Sequence, residues 1–552
     1  MDLLTLLVVV PLLAAGVLVF VPAKAEKAIR WTAIGAATIT LGIGIWFFHL
    51  ALTGGEAALT EYTANLPRIP WVQSVGITWA VGVDGMSVAM ILLNSLVLFT
   101  ACMVSAHAIQ DRVKEYFILF LALGAGVYGV FIVKDMFFMY FAFELAVVPM
   151  YLLIGCWGSP KDREYAAMKL TLFLTAGALV ALVGILLLYF KTWDFLRLTD
   201  PNALPSFHLD DVIAAADSGY FSSAFQKKTF VFLFLGFGAI IPMWPLHTWS
   251  PIGHAAAPAA GSMMHAGVLM KLGSYAILRV AFPACPEGAA YWLPWVATIA
   301  MANIVYGGYV AMAQKDVKFV IGFSSSSHMG YTLLGIASVT VMGVSGAVFL
   351  MFAHGVMTAL TFGLIGFFYD QTHDRYIPNL GGLAHQMPFV GTCFALATMA
   401  SAGVPGFANF ASELMVMLGA WEAGYKVQAV IAIFGVVITA VYLLRALADV
   451  FFRARKERWD KLKDARGPFQ RSPFILLIVV LLAFGMYPKP MIDVIKSGVE
   501  PIVRRVQGHQ VQGQTVKKET GSVESPEIQT EIDTGDAASE RDARQPRRRE
   551  GR

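Results

Sequence analysis

Three ionisable residues stand inside long apolar segments of this sequence. Glu144 lies in FFMYFAFELAVVPMYLL, Lys271 in HAGVLMKLGSYAILR and Glu413 in GFANFASELMVMLGAW. A charge at the centre of a bilayer costs at least about 2.5 kcal/mol, so each of these positions needs a reason. Both glutamates are far from any other charge in the sequence, and glutamate is too short to reach a membrane surface from mid-depth. We therefore expect these three residues to be functional.

Three histidines and a second lysine accompany them. These are His265, His328 in SSSSHMGY, His354 in FAHGVMTALTFG, and Lys169 in REYAAMKLTLFL. Taken singly, a histidine on an apolar face is most often a satisfied core residue, and Lys169 can extend its amine to the headgroups. As a set, alternating Glu, Lys and His can trade protons, because burial disfavours their charged forms and a neighbouring opposite charge restores them. The set predicts a proton relay.

The sequence offers no group that would carry electrons. Its four cysteines (Cys102, Cys156, Cys285, Cys393) are scattered, with neither CxxC spacing nor a metal-ligand grouping, and are interpreted as small buried apolar residues. No GxGxxG fingerprint precedes a helix. We expect no cofactor and no metal on this chain, which is typical of an ion conductor and not of a chemical catalyst.

Composition indicates which elements hold these residues. Of 552 residues, 57% are apolar and only 14% charged, and the mean hydropathy is +0.64. Apolar residues run unbroken for about 18–25 positions, the length that crosses a hydrocarbon core about 30 Å thick. This excludes a soluble enzyme, a disordered scaffold and a coiled coil. We predict an all-α polytopic membrane protein.

About fourteen spans are predicted. They lie near 2–20, 31–52, 86–108, 116–133, 136–157, 166–190, 228–249, 259–282, 291–313, 318–337, 340–369, 387–420, 427–447 and 473–487. The loops on one side of the membrane contain about 19 basic residues and those on the other side about 8, with the tail left out. This bias predicts that the side with more basic residues is cytoplasmic. Lys318 is counted among these loop charges. With an even number of spans, both termini lie on the periplasmic or outer side.

Two of the predicted spans are broken. Helix 7 runs into IIPMWPLHTWSPIGHAAAP and helix 12 contains SAGVPGFANF. Proline frees backbone carbonyls, which survive at membrane depth only inside protein or beside a wet cavity. If helices 4–8 and 9–13 are two inverted five-helix repeats, each break falls on the fourth helix of its repeat. Paired broken helices of this kind are typical of ion transport.

The sequence divides into five parts. They are 1–115 (helices 1–3, with an outer hairpin over PRIPWVQSVGITWAVGVDG), 116–282 (first repeat), 283–447 (second repeat), 448–506 (basic cytoplasmic loop and helix 14) and 507–552 (polar tail). Residues 194–227 are predicted to form a second extramembrane connection. The tail mixes both charge signs and is predicted to be disordered. Its short RRR run does not predict nucleic-acid binding.

Several of these segments resemble one family. VGVDGMS, FELAVVPMYLLIGCWG, REYAAMKLTLFLTAG, PMWPLHTWSPIGHAAAPAAGSMMHAGVLMKLGSYAILR, GFSSSSHMGYTLLGI and FANFASELMVMLGAW resemble, in this order, the antiporter-like subunit M (chain 4) of respiratory complex I. The resemblance covers about residues 80–450. It implies fourteen helices, two inverted repeats and one proton path in a proton-pumping NADH:quinone oxidoreductase.

The resemblance also implies roles for individual residues. Glu144 matches the helix-5 glutamate that responds to the neighbouring subunit, and Lys271 matches the helix-8 lysine. His328 and His354 match the histidines of the central axis, and Glu413 matches the glutamate near the outlet. NADH, FMN, iron–sulfur clusters and quinone would be bound by partner subunits. The partners of this chain would be other membrane-arm subunits in a bacterial inner membrane.

The sequence departs from the family pattern at helix 7. Ile240 stands where the family usually has a lysine paired with the helix-5 glutamate, and Ile252 replaces a usual acidic residue. His265 stands where subunit M is usually apolar, whereas subunit L and Mrp relatives often carry a histidine near it. Either a group such as His265 replaces the lysine, or the subunit couples differently. Three functions stay open: a proton-translocating subunit, a subunit of an Mrp-type antiporter or membrane-bound hydrogenase, and a non-pumping spacer.

Overall fold

The protein was examined as a computed structural model that describes residues 2–521, with side chains through residue 508. Over this range the chain is mostly helical, and ten of the described helices are long and apolar enough to cross a membrane. The prediction of a helical polytopic membrane protein is confirmed at this level. Residues 2–510 belong to one compact unit, and the end of the last helix belongs to a second, residues 511–552.

Twenty α-helices and two strands follow one another along the described chain. The first half contains α1 (Leu3–Phe20), α2 (Glu26–Ala64), β1 (Ile69–Val72), β2 (Ile77–Trp79), α3 (Gly85–Ala108), α4 (Val113–Ile132), α5 (Met136–Trp157), α6 (Arg163–Thr199), α7 (Leu209–Asp217), α8 (Ser223–Ile240), α9 (Trp249–Ala256) and α10 (Ala259–Met264). The second contains α11 (Lys271–Ala276), α12 (Phe282–Ala284), α13 (Pro286–Ala313), α14 (Val317–Ser338), α15 (Val341–Thr372), α16 (Pro388–Ser401), α17 (Ala408–Glu422), α18 (Lys426–Leu447), α19 (Gly467–Met486) and α20 (Lys489–Gly521).

Two π-helical turns join the short helices around Lys271. His265–Leu269 links α10 to α11, and Ile277–Ala281 links α11 to α12, so that one long helix carries the lysine. π-Helical turns are rare and are frequent at functional sites.

Aspartates at the start of several helices satisfy amide groups that the helix itself leaves free. The Asp84 carboxylate accepts a hydrogen bond from the Ser87 amide (2.8 Å) at the start of α3. Asp135 does the same for two amides of α5, and Asp316 for two amides of α14. Such caps fix where a helix begins.

One end of the bundle carries the extramembrane elements and is called the hairpin face. Strands β1 and β2 pair antiparallel, as predicted for this segment, and Gly76 turns the chain between them with φ +68°. The connection after α6 contains α7, and the backbone of Asp135 bridges to that of His208 beside it. Helix α20 packs on the same face, where Arg505 pairs with Asp217 at 2.6 Å.

Both predicted helix breaks are present. Helix α8 ends at Ile240 and α9 begins at Trp249, while α16 ends at Ser401 and α17 begins at Ala408. At the first break the Trp249 indole donates to the Ala239 carbonyl at 2.9 Å, which satisfies one of the carbonyls freed there. At the second break Gly403 and Gly406 both have positive φ.

Two expectations about charged segments do not match the structure. Lys318, counted above as a loop charge, is the second residue of α14 and is only 2% exposed. Its neighbour Asp316 caps the helix, so α14 begins just before the lysine. Helix α20 covers residues 507–521 of the tail predicted to be disordered. The remainder of that tail, 522–552, lies outside the described residues.

Candidate functional site

Lys271 and His354 meet at the centre of the bundle. Lys271, on α11, is fully buried, and its Nζ lies 2.9 Å from Nδ1 of His354 on α15. The amine also donates to the carbonyl of Ala266, in the π-helical turn before α11. When Lys271 is an ammonium it only donates, so that His354 Nδ1 then accepts and the proton of the neutral ring is on Nε2. Nε2 is buried and has no hydrogen-bond partner among the described residues.

His328 and Glu413 continue this line into α14 and α17. The rings of His354 and His328 are 5.0 Å apart between centroids, and His328 Nε2 lies 3.4 Å from Glu413 Oε1. His328 Nδ1 is 2.8 Å from the Ser324 carbonyl, and Nε2 is 3.2 Å from the Ser401 carbonyl. Both ring nitrogens thus face acceptors, so either His328 is a cation or Glu413 carries the proton. Glu413 Oε1 is within ion-pair distance of His328 but accepts no hydrogen bond from the described residues.

Four of the predicted residues therefore form one buried line. Lys271, His354, His328 and Glu413 are each 3% exposed or less, and they come from four different helices. The line passes from the part of the chain predicted as the first repeat into the part predicted as the second.

His265 lies beside this line but contacts other groups. Its ring stacks on Trp249 at 5.3 Å and lies 4.0 Å from the ring of His254. Both nitrogens of His265 are buried with no hydrogen-bond partner, while His254 Nε2 is 3.2 Å from the sulfur of Met270. The sequence analysis missed His254. A signal was present, since both histidines flank the Pro258 of the same interrupted segment.

Glu144 is separate from the line. It is half-buried on α5, and its Oε1 is buried without a hydrogen-bond partner. Glu144 forms no ion pair with any described residue, and it is not hydrogen-bonded to His265. The structure thus shows no hydrogen bond by which His265 would replace the lysine that the resemblance implies. Phe141 and Val148, one turn to either side, are exposed, so Glu144 lies at the edge of an outward face of α5.

Ile240, where the resemblance implies a lysine, is buried. It is 3% exposed and lines an apolar cavity of about 20 Å³ together with Tyr140, Phe143 and Leu272. Tyr140 and Phe143 neighbour Glu144 on α5, and Leu272 follows Lys271. Neither Glu144 nor Lys271 itself lines this cavity.

Lys169 is also outside the line. It is partly buried on α6, and its Nζ lies 5.6 Å from the centre of the Tyr165 ring. It forms no ion pair with a described residue.

Comparison with known proteins decides the family. Residues 133–439, more than half of the chain, match the family described as NADH:quinone oxidoreductase/Mrp antiporter, TM. The chain belongs to this family. Its membership makes it a multi-pass membrane protein, in agreement with its apolar helices.

Relatives within the NADH:quinone oxidoreductase/Mrp antiporter family match over nearly the whole chain. NADH-quinone oxidoreductase subunit M of Rhodobacter capsulatus is 35% identical over 514 residues, covering 91% of this chain and 96% of the relative. NAD(P)H-quinone oxidoreductase chain 4 2 of Thermosynechococcus vestitus is 33% identical over 514 residues, covering 92% of each.

Solved structures agree with this assignment. A chain of respiratory complex I from Thermus thermophilus with bound NADH is 27% identical, with a TM-score of 0.80, covering 91% of this chain and 99% of that chain. A chain of the Mrp complex from Dietzia sp. DQ12-45-1b is 20% identical with a TM-score of 0.76, covering 91% and 98%. The second likeness shows the fold alone.

In this member of the family, two cations hold the end of the broken helix α9. Lys318 donates to the Ala257 carbonyl at 2.7 Å, and Arg375 donates to the Ala255 carbonyl. Carbonyls at a helix C-terminus carry partial negative charge, which cations stabilise. Since α9 carries His254, these contacts fix the position of the His254–His265 pair. Lys318 was not predicted to have this role.

The described residues contain no group of three or more His, Cys, Asp or Glu arranged to hold a metal ion.

Proposed function

We propose that this chain is a proton-translocating membrane subunit of an NADH-quinone oxidoreductase, driven by electron transfer in partner subunits. The observation that carries the proposal is the buried line Lys271–His354–His328–Glu413 in a chain of this family. Buried ionisable groups are expensive, and an inert membrane spacer would not need them. The names of the relatives support the same assembly.

Protons would move along the line as its residues change protonation state, and each step can run in either direction. Lys271 gives a proton to His354 Nδ1 while the ring releases the proton of Nε2 toward His328. The ring centroids are 5.0 Å apart and His354 Nε2 has no hydrogen-bond partner among the described residues, so this step would run through a bridging water. His328 and Glu413 then hold the transferred proton together. Each step leaves the donor with one proton fewer and the acceptor with one more.

Glu144 would couple this line to a neighbouring subunit by its charge. Its place at the outward edge of α5 supports contact with a partner there. Coupling to Lys271 would be through space, since Lys271 is fully buried and charges interact strongly where little water screens them. This chain would thus couple without the usual lysine.

We also propose the finer organisation expected from the sequence. It comprises fourteen crossings, inverted repeats over helices 4–8 and 9–13, and both termini on the outer side of a bacterial inner membrane. The breaks after Ile240 and after Ser401 support the repeats, and the basic connections support the orientation. NADH, FMN, iron–sulfur clusters and quinone would reside on partner subunits of the membrane and peripheral arms.

The proposal is tested with Glu144→Gln in the assembled complex in membrane vesicles. Quinone-dependent NADH oxidation and proton movement are recorded together, and Glu422→Gln, an exposed glutamate at the end of α17, is the matched control. We expect Glu144→Gln to slow proton transfer by about tenfold or more relative to electron transfer. Full proton translocation by this variant would overturn the proposal. Sodium-dependent proton exchange without NADH would favour an Mrp-type antiporter.

A further inference from the structure

A second line of polar residues leads from Lys271 toward the hairpin face. Tyr275 and Arg279 follow Lys271 at steps of four residues along the same long helix. Residues four apart lie on one face of a helix. Tyr275 is fully buried, and the Arg279 side chain is 14% exposed. The path through His354 and Glu413 uses neither of them.

Hydrogen bonds connect these residues across α3. Tyr275 Oη lies 2.9 Å from Ser87 Oγ and donates to the Phe131 carbonyl, also at 2.9 Å. The Ser87 amide donates to Asp84 at 2.8 Å, so the carboxylate lies beside this serine. Asp84 forms an ion pair with Arg279.

The line ends in a cavity of the hairpin face that charged side chains line. Asp84 and Arg279 line this cavity of about 510 Å³, together with Glu56, Lys134 and His208. Its polar lining and its volume can hold several water molecules. Helix α20 forms one wall.

The Asp84–Arg279 pair would by itself be enough to fasten two helix ends. The hydrogen bond between the Tyr275 and Ser87 hydroxyls is not needed to join the two helix ends. Both of its groups are hydroxyls, which donate and accept at once, and they lie between the buried lysine and the ion pair. Donor–acceptor groups in series are what proton transfer needs.

We propose that Lys271 exchanges protons with the hairpin face through Tyr275, Ser87 and Asp84, and that the cavity is the aqueous end of this route. The inference rests on the proposed function. It makes Lys271 a branch point, with one branch through His354 and a second branch to the hairpin face.

Each step moves one proton and leaves each hydroxyl neutral. Lys271 lies one helical turn, about 6 Å of rise, from Tyr275, a distance that the flexible lysine arm or a water can cross. Because the Tyr275 hydroxyl donates to the Phe131 carbonyl, it first turns toward Ser87. Lys271 then gives a proton to Tyr275 Oη as that hydroxyl gives its own proton to Ser87. Ser87 passes its hydroxyl proton through a bridging water to the Asp84 carboxylate, which its backbone amide holds nearby. Asp84 then loses the proton to water in the cavity, and its pair with Arg279 is restored.

The test uses the whole complex in vesicles and two buried tyrosine–serine pairs. Tyr275→Phe removes the hydroxyl of the proposed route. Tyr128→Phe is the matched control, because Tyr128 Oη lies 2.8 Å from Ser95 Oγ and is equally buried, but away from the route. We expect Tyr275→Phe to slow proton translocation about tenfold relative to NADH oxidation and Tyr128→Phe to leave the ratio unchanged.

A second pair of variants separates this inference from the proposed function. Ser87→Ala is expected to slow proton translocation as Tyr275→Phe does, and Ser95→Ala is its control. If the Tyr275→Phe complex fails to assemble, Ser87→Ala alone tests the route. Normal translocation by Ser87→Ala and Tyr275→Phe, together with loss of translocation in Lys271→Ala, overturns the route and leaves the proposed function standing. Normal translocation by Lys271→Ala overturns both.

Discussion

Lys271 Nζ lies 2.9 Å from His354 Nδ1, although the two residues are 83 positions apart in the sequence. The contact joins α11 to α15. Lys271 forms no ion pair with a carboxylate of the described residues. Its amine is held by an imidazole and a carbonyl, and neither group locks a charge in place. This makes Lys271 able to change its protonation state.

Replacing Lys271 by methionine should therefore stop the relay. Lys271→Met keeps the length of the side chain and removes the proton. We expect proton translocation to fall about tenfold or more relative to NADH oxidation. Lys426→Met, at an exposed lysine at the start of α18, is the control. A variant complex that translocates protons as before would favour the spacer interpretation.

The second break offers a test through Gly403. Its φ is +68°, and a Cβ added there would lie 2.8 Å from Glu413 Oε2. Gly424 also has positive φ (+88°), but a Cβ there would meet nothing within 4 Å. Both Gly→Ala variants should lose about 1 kcal/mol from backbone strain. Only Gly403→Ala should displace Glu413 from His328 and slow proton translocation. Vesicle assays of translocation, combined with thermal unfolding, separate this effect from the loss of stability that both variants share. Equal translocation in the two variants would contradict this.

The sequence identified candidate residues and helix breaks where it departs from a strong physical rule. Glu144, Lys271 and Glu413 are visible because charge is rare in apolar segments, and the broken helices are visible because proline cannot continue a helix. His254 and Lys318 were missed, since a histidine near prolines and a lysine near a helix start have ordinary explanations. Their roles depend on which helices pack against them, and no spacing along the chain contains that information.

Introducing the usual family lysine tests how Glu144 and Ile240 are related. Ile240→Lys places an amine beside the cavity that Tyr140 and Phe143 share with it. We expect the lysine to pair with Glu144, so that Ile240→Lys unfolds near the temperature of the control Ile240→Met. Adding Glu144→Gln should then cost about 3 kcal/mol, because removing one partner leaves a buried charge unpaired. If the double variant is as stable as Ile240→Lys, the two positions do not interact.

His208, outside the membrane-spanning helices, should make the hairpin face sensitive to acid. Burial lowers the pKa of His208 to about 4, although Asp210 beside it acts in the opposite direction. Since the pKa is lower in the folded state than in the unfolded chain, the contribution of His208 is complete above about pH 6.5 and is lost as pH falls to about 4. The loss is at most about 3 kcal/mol.

The variant His208→Asn checks this directly. His208 Nδ1 accepts from the Asp210 amide at the start of α7, and asparagine is also a good residue for that position. We expect the variant to keep α7 and to lose part of the acid destabilisation, measured as unfolding temperature between pH 7 and pH 5. An unchanged pH dependence would show that another group is responsible.

The two π-helical turns on either side of α11 affect how this helix would respond to a change in its length. Each π-helical turn takes up one residue more than an α-helical turn. Deleting a single residue from His265–Leu269 would therefore leave an α-helical turn in its place, and the helix after it would keep its orientation. The π-helical turn thus gives this segment a place where its length can change by one residue while Lys271 still faces His354.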